Sequence, residues 1–179
     1  MLKKILMTLL FVCCFLRFLN ANEEERSSLY YLKLGVIYPP NGASSVLPSF
    51  GVGARFQRGS RGFDISANLS SLLFMNYASL KGIYLFYPHP EKKHQLYYGI
   101  GPGIGYHVNV FPMGGPFRTA NAEHGNLTAE GVLGYEFRHT PSFKTFIQLE
   151  FSQPIAVFHQ HGCRYRYQPG VTLCGGIGF

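Results

Sequence analysis

The sequence predicts an all-β protein, an eight-stranded antiparallel up-and-down transmembrane β-barrel that follows a cleaved N-terminal signal peptide. Three observations support this prediction. The first residues have the order of a secretory signal. The rest of the chain contains eight segments in which apolar and polar residues alternate with period two, and it shows no sustained helical period. The connections between these segments alternate between short and long, which is typical of transmembrane barrels.

The N-terminal segment combines a positively charged start with a short apolar run. Lys3 and Lys4 precede an apolar stretch from Ile5 to Leu16, and the chain becomes polar from Asn20. This stretch is shorter than the about 20 apolar residues that a membrane-spanning helix needs. We predict cleavage after Ala21, with a lipoprotein signal or an uncleaved anchor as the alternatives. The expected parts are a signal peptide (1–21), a short N-terminal tail (22–28) and the barrel (29–179).

The composition of the mature chain narrows the class of protein. Removal of Lys3, Lys4 and Arg17 leaves 13 basic and nine acidic residues, a net charge of +4. This mild bias is not typical of a nucleic-acid-binding protein, and an exported chain is not expected to meet nucleic acid. After residue 21 no apolar run is long enough for a membrane helix. Only helices and closed barrels satisfy every backbone group in lipid, so a membrane location requires a barrel.

Eight segments carry the strand pattern. In the last of them Val171, Leu173 and Ile177 share one face, and Thr172 lies on the other. Pro102 lies within the fifth strand, and we expect a bulge to absorb it. The predicted strands lie near Tyr30–Tyr38, Phe50–Gln57, Phe63–Ser70, Ala78–Tyr87, Gln95–His107, Thr128–Arg138, Lys144–Ser152 and Val171–Phe179.

The connections predict how the barrel is oriented. Short turns are expected at Gly59–Ser60, Pro88–Lys93 and His139–Ser142. Long loops are expected at Pro39–Ser49, Ser71–Tyr77, Asn109–Gly125 and Pro154–Gln168. If both ends of the chain lie on the periplasmic side, all the long loops face outside.

Alternation alone does not say which face of the strands points outward. The polar faces carry charges of both signs, namely Lys33, Arg55, Asp64, Lys81, Glu130, Glu136, Arg138, Lys144 and Glu150. They could pair with each other inside a narrow membrane barrel, or they could be the solvated exterior of a soluble barrel. In the soluble case Leu96, Ile100 and Ile104 would line a ligand cavity.

The positions of the aromatic residues favour the membrane barrel. They fall into two groups at opposite ends of the predicted strands, as in the girdles of membrane barrels. One group contains Tyr30, Phe56, Phe63, Phe86, Tyr98, Tyr135, Phe137, Phe143 and Phe179. The other contains Tyr38, Phe50, Tyr77, Tyr106, Phe151, Tyr165 and Tyr167.

The C-terminal segment resembles the closing strand of bacterial outer-membrane β-barrel proteins. Val171, Leu173, Ile177 and the terminal Phe179 match that pattern, whereas Gly175 replaces a usual apolar residue. In size and loop layout the mature chain resembles the small OmpA/OmpX-like members. The resemblance implies an integral outer-membrane location, with outer-membrane lipid, lipopolysaccharide and the assembly machinery as partners. It also implies that these four residues act as an assembly signal.

The other candidate functional residues lie on the predicted outer loops, except for Ser152, Glu130 and Cys174, which lie on predicted strands. Arg118, Arg164 and Arg166 suit lipopolysaccharide phosphates, although anchoring at the membrane interface is an equal alternative. His159 and His161 with Cys163 could bind Zn²⁺, but ordinary surface histidines are the more frequent case. For catalysis the available groups are His124, Ser152 and either Glu123 or Glu130. Cys163 is expected to be free or intermolecular rather than bridged to Cys174.

These observations predict a non-enzymatic barrel without a cofactor, with a structural or surface-contact role. An eight-stranded barrel has an interior that side chains can fill, so we expect it to be closed to large solutes. The alternatives are a lipid-A-modifying barrel enzyme, either an acyltransferase or a deacylase, and a soluble periplasmic ligand-binding barrel.

Overall fold

The computed structural model describes residues 26–38, 46–72, 75–109, 122–140, 143–161 and 168–179. These residues form eight antiparallel strands, and β1 pairs with β8 to close a barrel. Each other strand pairs with its neighbours in the chain, so the topology is up-and-down and the predicted fold class is confirmed. The strands are β1 (Arg26–Tyr38), β2 (Leu47–Arg58), β3 (Arg61–Leu72), β4 (Met75–Phe86), β5 (His94–Asn109), β6 (Ala122–Arg138), β7 (Lys144–His161) and β8 (Gly170–Gly178).

The two ends of the barrel differ. One end, the turn end, carries the connections at residues 59–60, 87–93 and 139–143 together with Arg26 and Phe179. The opposite end, here called the loop end, carries the connections between β1 and β2, β3 and β4, β5 and β6, and β7 and β8. The predicted signal peptide lies outside the described residues. β1 begins at Arg26, three residues before the predicted start of the barrel at residue 29.

The connection between β3 and β4 is shorter than the sequence suggested. The register pairs Leu72 with Met75, so only two residues join these strands, and the predicted long loop at Ser71–Tyr77 is wrong. Ser71 and Asn76 resembled loop residues because they are polar. In the barrel they lie opposite each other, and the Ser71 hydroxyl donates a 2.7 Å hydrogen bond to Asn76 Oδ1.

Strands β6 and β7 continue beyond the predicted strand ends at the loop end. Residues 122–125 and 154–161, predicted as loop, belong to these strands. Two register shifts between β6 and β7 lie beside this segment, and the chain continues as strand through Pro154. In the described residues β8 pairs with β7 only as far as Ser152 and Gly170, so Pro154 also lies on an edge. Bulges and edges are the positions where a sheet tolerates proline.

The expected bulge at Pro102 is absent. The β4–β5 register is the same at Lys81↔Gly103 and at Tyr84↔Ile100, although the pairs between them are missing. Pro102 itself is exposed on the outer face. Because Gly101 has no Cβ, the carbonyl of Gly82 can approach it closely, and the strands pass each other without an extra residue.

The exterior of the barrel is apolar. Outward-facing side chains such as Leu34 and Ile100 are 66% and 70% exposed, and Leu96 and Ile104 also lie on this face. The soluble alternative, with these residues around an internal cavity, is therefore wrong. Tyr77 was assigned to an aromatic girdle but is only 1% exposed and packs inside with Ile37 and Leu47. None of the described residues forms a helix long and apolar enough to cross a membrane.

Candidate functional site

The interior of the barrel holds two clusters of charged side chains. The one nearer the loop end, here called the upper ion cluster, contains Lys33, Lys81, Glu130 and Glu150, all buried. Glu150 accepts hydrogen bonds from Lys33 Nζ at 2.5 Å and from Lys81 Nζ at 2.8 Å. Lys81 Nζ also lies 2.9 Å from Glu130 Oε2. Four charges from strands β1, β4, β6 and β7 therefore neutralise each other across the lumen.

The second cluster lies nearer the turn end and is called the lower ion cluster. It contains Arg55, Asp64, Glu136, Arg138 and Lys144. Arg55 donates to Asp64 Oδ2 at 2.9 Å and to Glu136 Oε2 at 3.2 Å. Glu136 Oε1 also lies 3.3 Å from Arg138 Nε and 3.4 Å from Lys144 Nζ. Each buried cation therefore has a carboxylate partner, which a buried charge requires.

Gln148 joins the two clusters. Its amide nitrogen donates to Glu150 Oε1 at 2.6 Å, and its amide oxygen accepts from Arg55 Nη2 at 3.1 Å. Tyr97 donates to the same oxygen at 2.6 Å. The two clusters thus form one hydrogen-bonded system along the barrel axis.

Aromatic rings fill the space around the Arg55 guanidinium. Its central carbon lies 4.3 Å from the centroid of the Tyr97 ring, 5.4 Å from that of Tyr31 and 5.1 Å from that of Phe146. Such cation–π contacts add to the ion pairs. The Tyr31 hydroxyl also donates to Asp64 Oδ1 at 2.8 Å. The middle of the lumen is therefore occupied by side chains.

Glycines on the inner wall make room for these rings. The Tyr97 ring occupies the position where a Cβ on Gly134 would lie. We expect Gly134→Ala to displace Tyr97 from Arg55 and to lower the free energy of unfolding by about 1–3 kcal/mol, the usual cost of overpacking. The measurement is the urea midpoint at which the folded, faster-migrating gel band disappears. Gly131→Ala is the control, because a Cβ there meets only the Phe151 Cβ at 3.9 Å.

All nine charges of the predicted polar faces lie on the inner face. Eight are buried (Lys33, Arg55, Asp64, Lys81, Glu130, Glu136, Lys144 and Glu150), and the Arg138 side chain is 27% exposed at the turn end. The sequence did not identify the aromatic surroundings of Arg55. Each of these rings lies two residues from a polar side chain of the same strand and therefore on the same face. The pairs are Tyr31 with Lys33, Tyr97 with Gln95, and Phe146 with Lys144, and this spacing could have identified the rings.

The residues predicted as an assembly signal lie on the exterior of β8. Leu173, Ile177 and Phe179 are exposed, and Val171 is half-buried. Phe179 and Tyr30 exchange two backbone hydrogen bonds, of 2.9 and 3.0 Å, so the terminal residue takes part in closing the barrel. The predicted lipopolysaccharide contacts Arg118, Arg164 and Arg166 lie outside the described residues.

Two of the groups considered for catalysis lie inside the barrel. Ser152 and Glu130 lie in the lumen, where the Ser152 hydroxyl donates to Glu130 Oε2 at 2.6 Å. Both are buried. Glu130 is a member of the upper ion cluster, and Ser152 contacts that cluster because Lys81 Nζ donates to its hydroxyl at 3.3 Å. The side chains of Glu123 and His124 lie outside the described part.

The alternatives of a Zn²⁺ site and of a Cys163–Cys174 bridge fall largely outside the described residues, since Cys163 and the side chains of His159 and His161 are not among them. In the described part of the chain no group of three His, Cys, Asp or Glu side chains is placed to hold a metal ion. Cys174 is buried with a free thiol, which points into the lumen 3.5 Å from Glu150 Oε1.

The barrel has an apolar exterior and a closed polar interior in which the charged side chains pair with each other. This combination defines a class of protein. This arrangement reverses that of a soluble barrel and suits a strand-built protein surrounded by lipid. The chain therefore has the architecture of the small eight-stranded outer-membrane β-barrels, as the resemblance of its last strand implied.

Solved structures with the same fold belong to this class. The chain is similar to Neisserial surface protein A (NspA), with 8% identity, a TM-score of 0.63 and coverage of 86% of this chain and 95% of that one. For the outer membrane protein OprG from Pseudomonas aeruginosa the identity is 10% and the TM-score 0.59, with coverage of 86% and 96%. Ail, the attachment invasion locus protein of Yersinia pestis, was solved with the heparin analogue sucrose octasulfate. Its identity to this chain is 14% and the TM-score 0.55, with coverage of 87% of this chain and 98% of that one. No protein-family model and no curated protein sequence matches the chain.

Proposed function

We propose that this protein is an integral outer-membrane barrel, closed to large solutes, that makes contacts at the cell surface through its loop end. The observation that carries the proposal is that β7 continues at the loop end beyond its pairing with β8. Pairing between β5 and β6 continues to Asn109↔Ala122, and pairing between β6 and β7 continues to Glu123↔His161. β8 begins only at Gly170, opposite Ser152. Among the described residues β7 therefore extends beyond β8, whereas β4, β5 and β6 end level with one another at Met75, Asn109 and Ala122.

The projecting part of β7 has the properties of a contact surface. Residues 153–161 have no strand partner on their second side among the described residues. An unpaired edge presents backbone N–H and C=O groups that can pair with a strand of another protein. Ile155 and Phe158 on this segment are 60% and 49% exposed. A polypeptide segment that adds as a further strand is the partner best suited to this edge.

The lumen supports a role other than transport. The two ion clusters, Gln148 and the rings around Arg55 occupy successive levels of a narrow barrel. We expect reconstituted protein to produce no swelling of liposomes in isotonic sugar solutions. A porin reconstituted at the same protein-to-lipid ratio is the control. Swelling at a rate close to that of the porin would contradict a closed barrel.

The experiment that tests surface exposure is cysteine labelling in intact cells. In a Cys163→Ser background, we expect Ile155→Cys to react with a membrane-impermeant maleimide. Leu34→Cys, on the lipid-facing surface, is expected to remain unlabelled. Labelling of Ile155→Cys only after the outer membrane is permeabilised would place the extension in the periplasm and would refute the proposed surface role.

Two partner assignments belong to the same proposal. We propose that the assembly machinery recognises Val171, Leu173, Ile177 and Phe179, and that Arg118, Arg164 and Arg166 contact lipopolysaccharide phosphates. Support for the first comes from the exposed apolar side chains on β8, a strand that closes the barrel by pairing with both β1 and β7. The basic composition of the predicted outer loops supports the second.

A further inference from the structure

Three arginines occupy neighbouring positions on adjacent strands at the turn end. In the backbone register Arg26 of β1 lies opposite Arg58 of β2, and Arg58 lies opposite Arg61 of β3. A two-residue turn joins the last two, with Gly59 at a positive φ of 51°. Gln57 and Gly62 are buried toward the lumen, so the alternating pattern directs Arg58 and Arg61 to the exterior. Arg58 is half-buried and Arg61 is exposed.

Within the described ranges no carboxylate pairs with Arg58 or Arg61. Like charges directly opposite each other on paired strands destabilise a sheet. Among the described residues neither Arg58 nor Arg61 forms an ion pair, whereas Lys33, Arg55, Lys81 and the other buried charges of the lumen all do. In the described part of the chain two arginines on paired strands therefore have no carboxylate partner, and an anion in the surrounding lipid would complement their charge.

The position of the two arginines relative to lipid identifies that anion. On the same outer face, the next residues toward the middle of the barrel are Phe56 and Phe63, which lie opposite each other. Beyond them Ala54 and Ile65 lie within the apolar exterior. In transmembrane barrels, girdles of aromatic residues flank the apolar band at both membrane interfaces. Two guanidinium groups on the polar side of such a ring pair are at the depth of lipid phosphates, which arginine binds through bidentate hydrogen bonds.

We propose that Arg58 and Arg61 bind the phosphate group of an anionic phospholipid in the leaflet that surrounds the turn end. This site lies at the opposite end of the barrel from the proposed lipopolysaccharide contacts. The proposal rests on the barrel spanning a bilayer, and it does not depend on the surface-contact role. A bound phosphate lowers the repulsion between the facing arginines, so lipid binding and the stability of the β2–β3 hairpin are coupled.

The experiment compares lipid selectivity with a matched control. Refolded protein is placed in phosphatidylcholine bilayers that contain either spin-labelled phosphatidylglycerol or spin-labelled phosphatidylcholine, and the motionally restricted fraction of each probe is measured. We expect the wild type to prefer phosphatidylglycerol, and we expect Arg58→Gln/Arg61→Gln to reduce that preference by roughly fivefold or more. Lys92→Gln/Lys93→Gln removes the same charge from an exposed turn at the same end, and we expect it to keep most of the preference.

The outcomes separate the proposal from its alternatives. An equal reduction by the two double variants would show a diffuse electrostatic effect and would overturn the proposed site. An unchanged preference in Arg58→Gln/Arg61→Gln would also overturn it. Heat-modifiable migration of each variant on a gel shows that the barrel has folded. If the wild type itself shows no heat-modifiable migration, the membrane barrel is refuted rather than the lipid site.

Discussion

Replacing Glu150 with alanine is expected to lower the free energy of unfolding by about 3–5 kcal/mol, the usual cost of breaking a buried ion pair by removing one partner. Glu150 accepts from both Lys33 and Lys81 in the upper ion cluster. After its removal Lys81 retains Glu130, but Lys33 remains buried without a described acidic partner. The loss therefore comes mainly from one unpaired ammonium group in the lumen.

The measurement must suit a protein that contains no tryptophan. We would follow the fraction of folded band on a gel across a urea series, in detergent micelles. Glu91→Ala also removes a carboxylate, but from an exposed turn, and it should change the free energy by no more than about 0.5 kcal/mol. Adding Lys33→Met to Glu150→Ala should restore part of the stability, because it removes the unpaired charge. No recovery in that double variant would show that Lys33 is not the source of the loss.

Replacing Leu34 with arginine is expected to cost about 2–4 kcal/mol when the protein is folded into phospholipid vesicles, as for a charge on the lipid face near the bilayer midplane. Leu34 is 66% exposed and lies on the outer face between Leu32 and Val36, which are also exposed. Its register partner on β2 is the exposed Phe50. A guanidinium group at this position must be transferred from water into hydrocarbon.

The neighbouring position gives the internal comparison for this prediction. Lys33 carries a charge one residue earlier in the same strand, but it faces the lumen and has an acidic partner. Leu34→Phe keeps the exterior apolar and should leave the urea midpoint close to that of the wild type. If Leu34→Arg were equally well tolerated, the outer face would be in contact with water, and the transmembrane arrangement would be wrong.

Strand parity could be predicted from the sequence because it follows from local geometry. Successive side chains of a strand point to opposite faces, so Lys144, Gln148 and Glu150 had to share one face wherever β7 lay. The eight segments and the antiparallel order follow from the same alternation and from the spacing of the turns. The strand ends were less predictable, since Ser71, Asn76 and Pro154 are typical of loops and form strand only because neighbouring strands satisfy or tolerate them.

The sequence by itself therefore determined the strand number, the two faces of each strand and the grouping of charges on one of them. Only the tertiary structure decided that this charged face points inward, and which charges form pairs. Arg55 contacts Asp64, Glu136 and Gln148, which are nine, 81 and 93 residues away in the chain. The contact with Asp64 needs only the register of the β2–β3 hairpin, whereas the contacts with Glu136 and Gln148 cross the lumen and depend on the closed barrel. Register depends on turn geometry and on the match between the faces of neighbouring strands, which alternation within one strand does not specify.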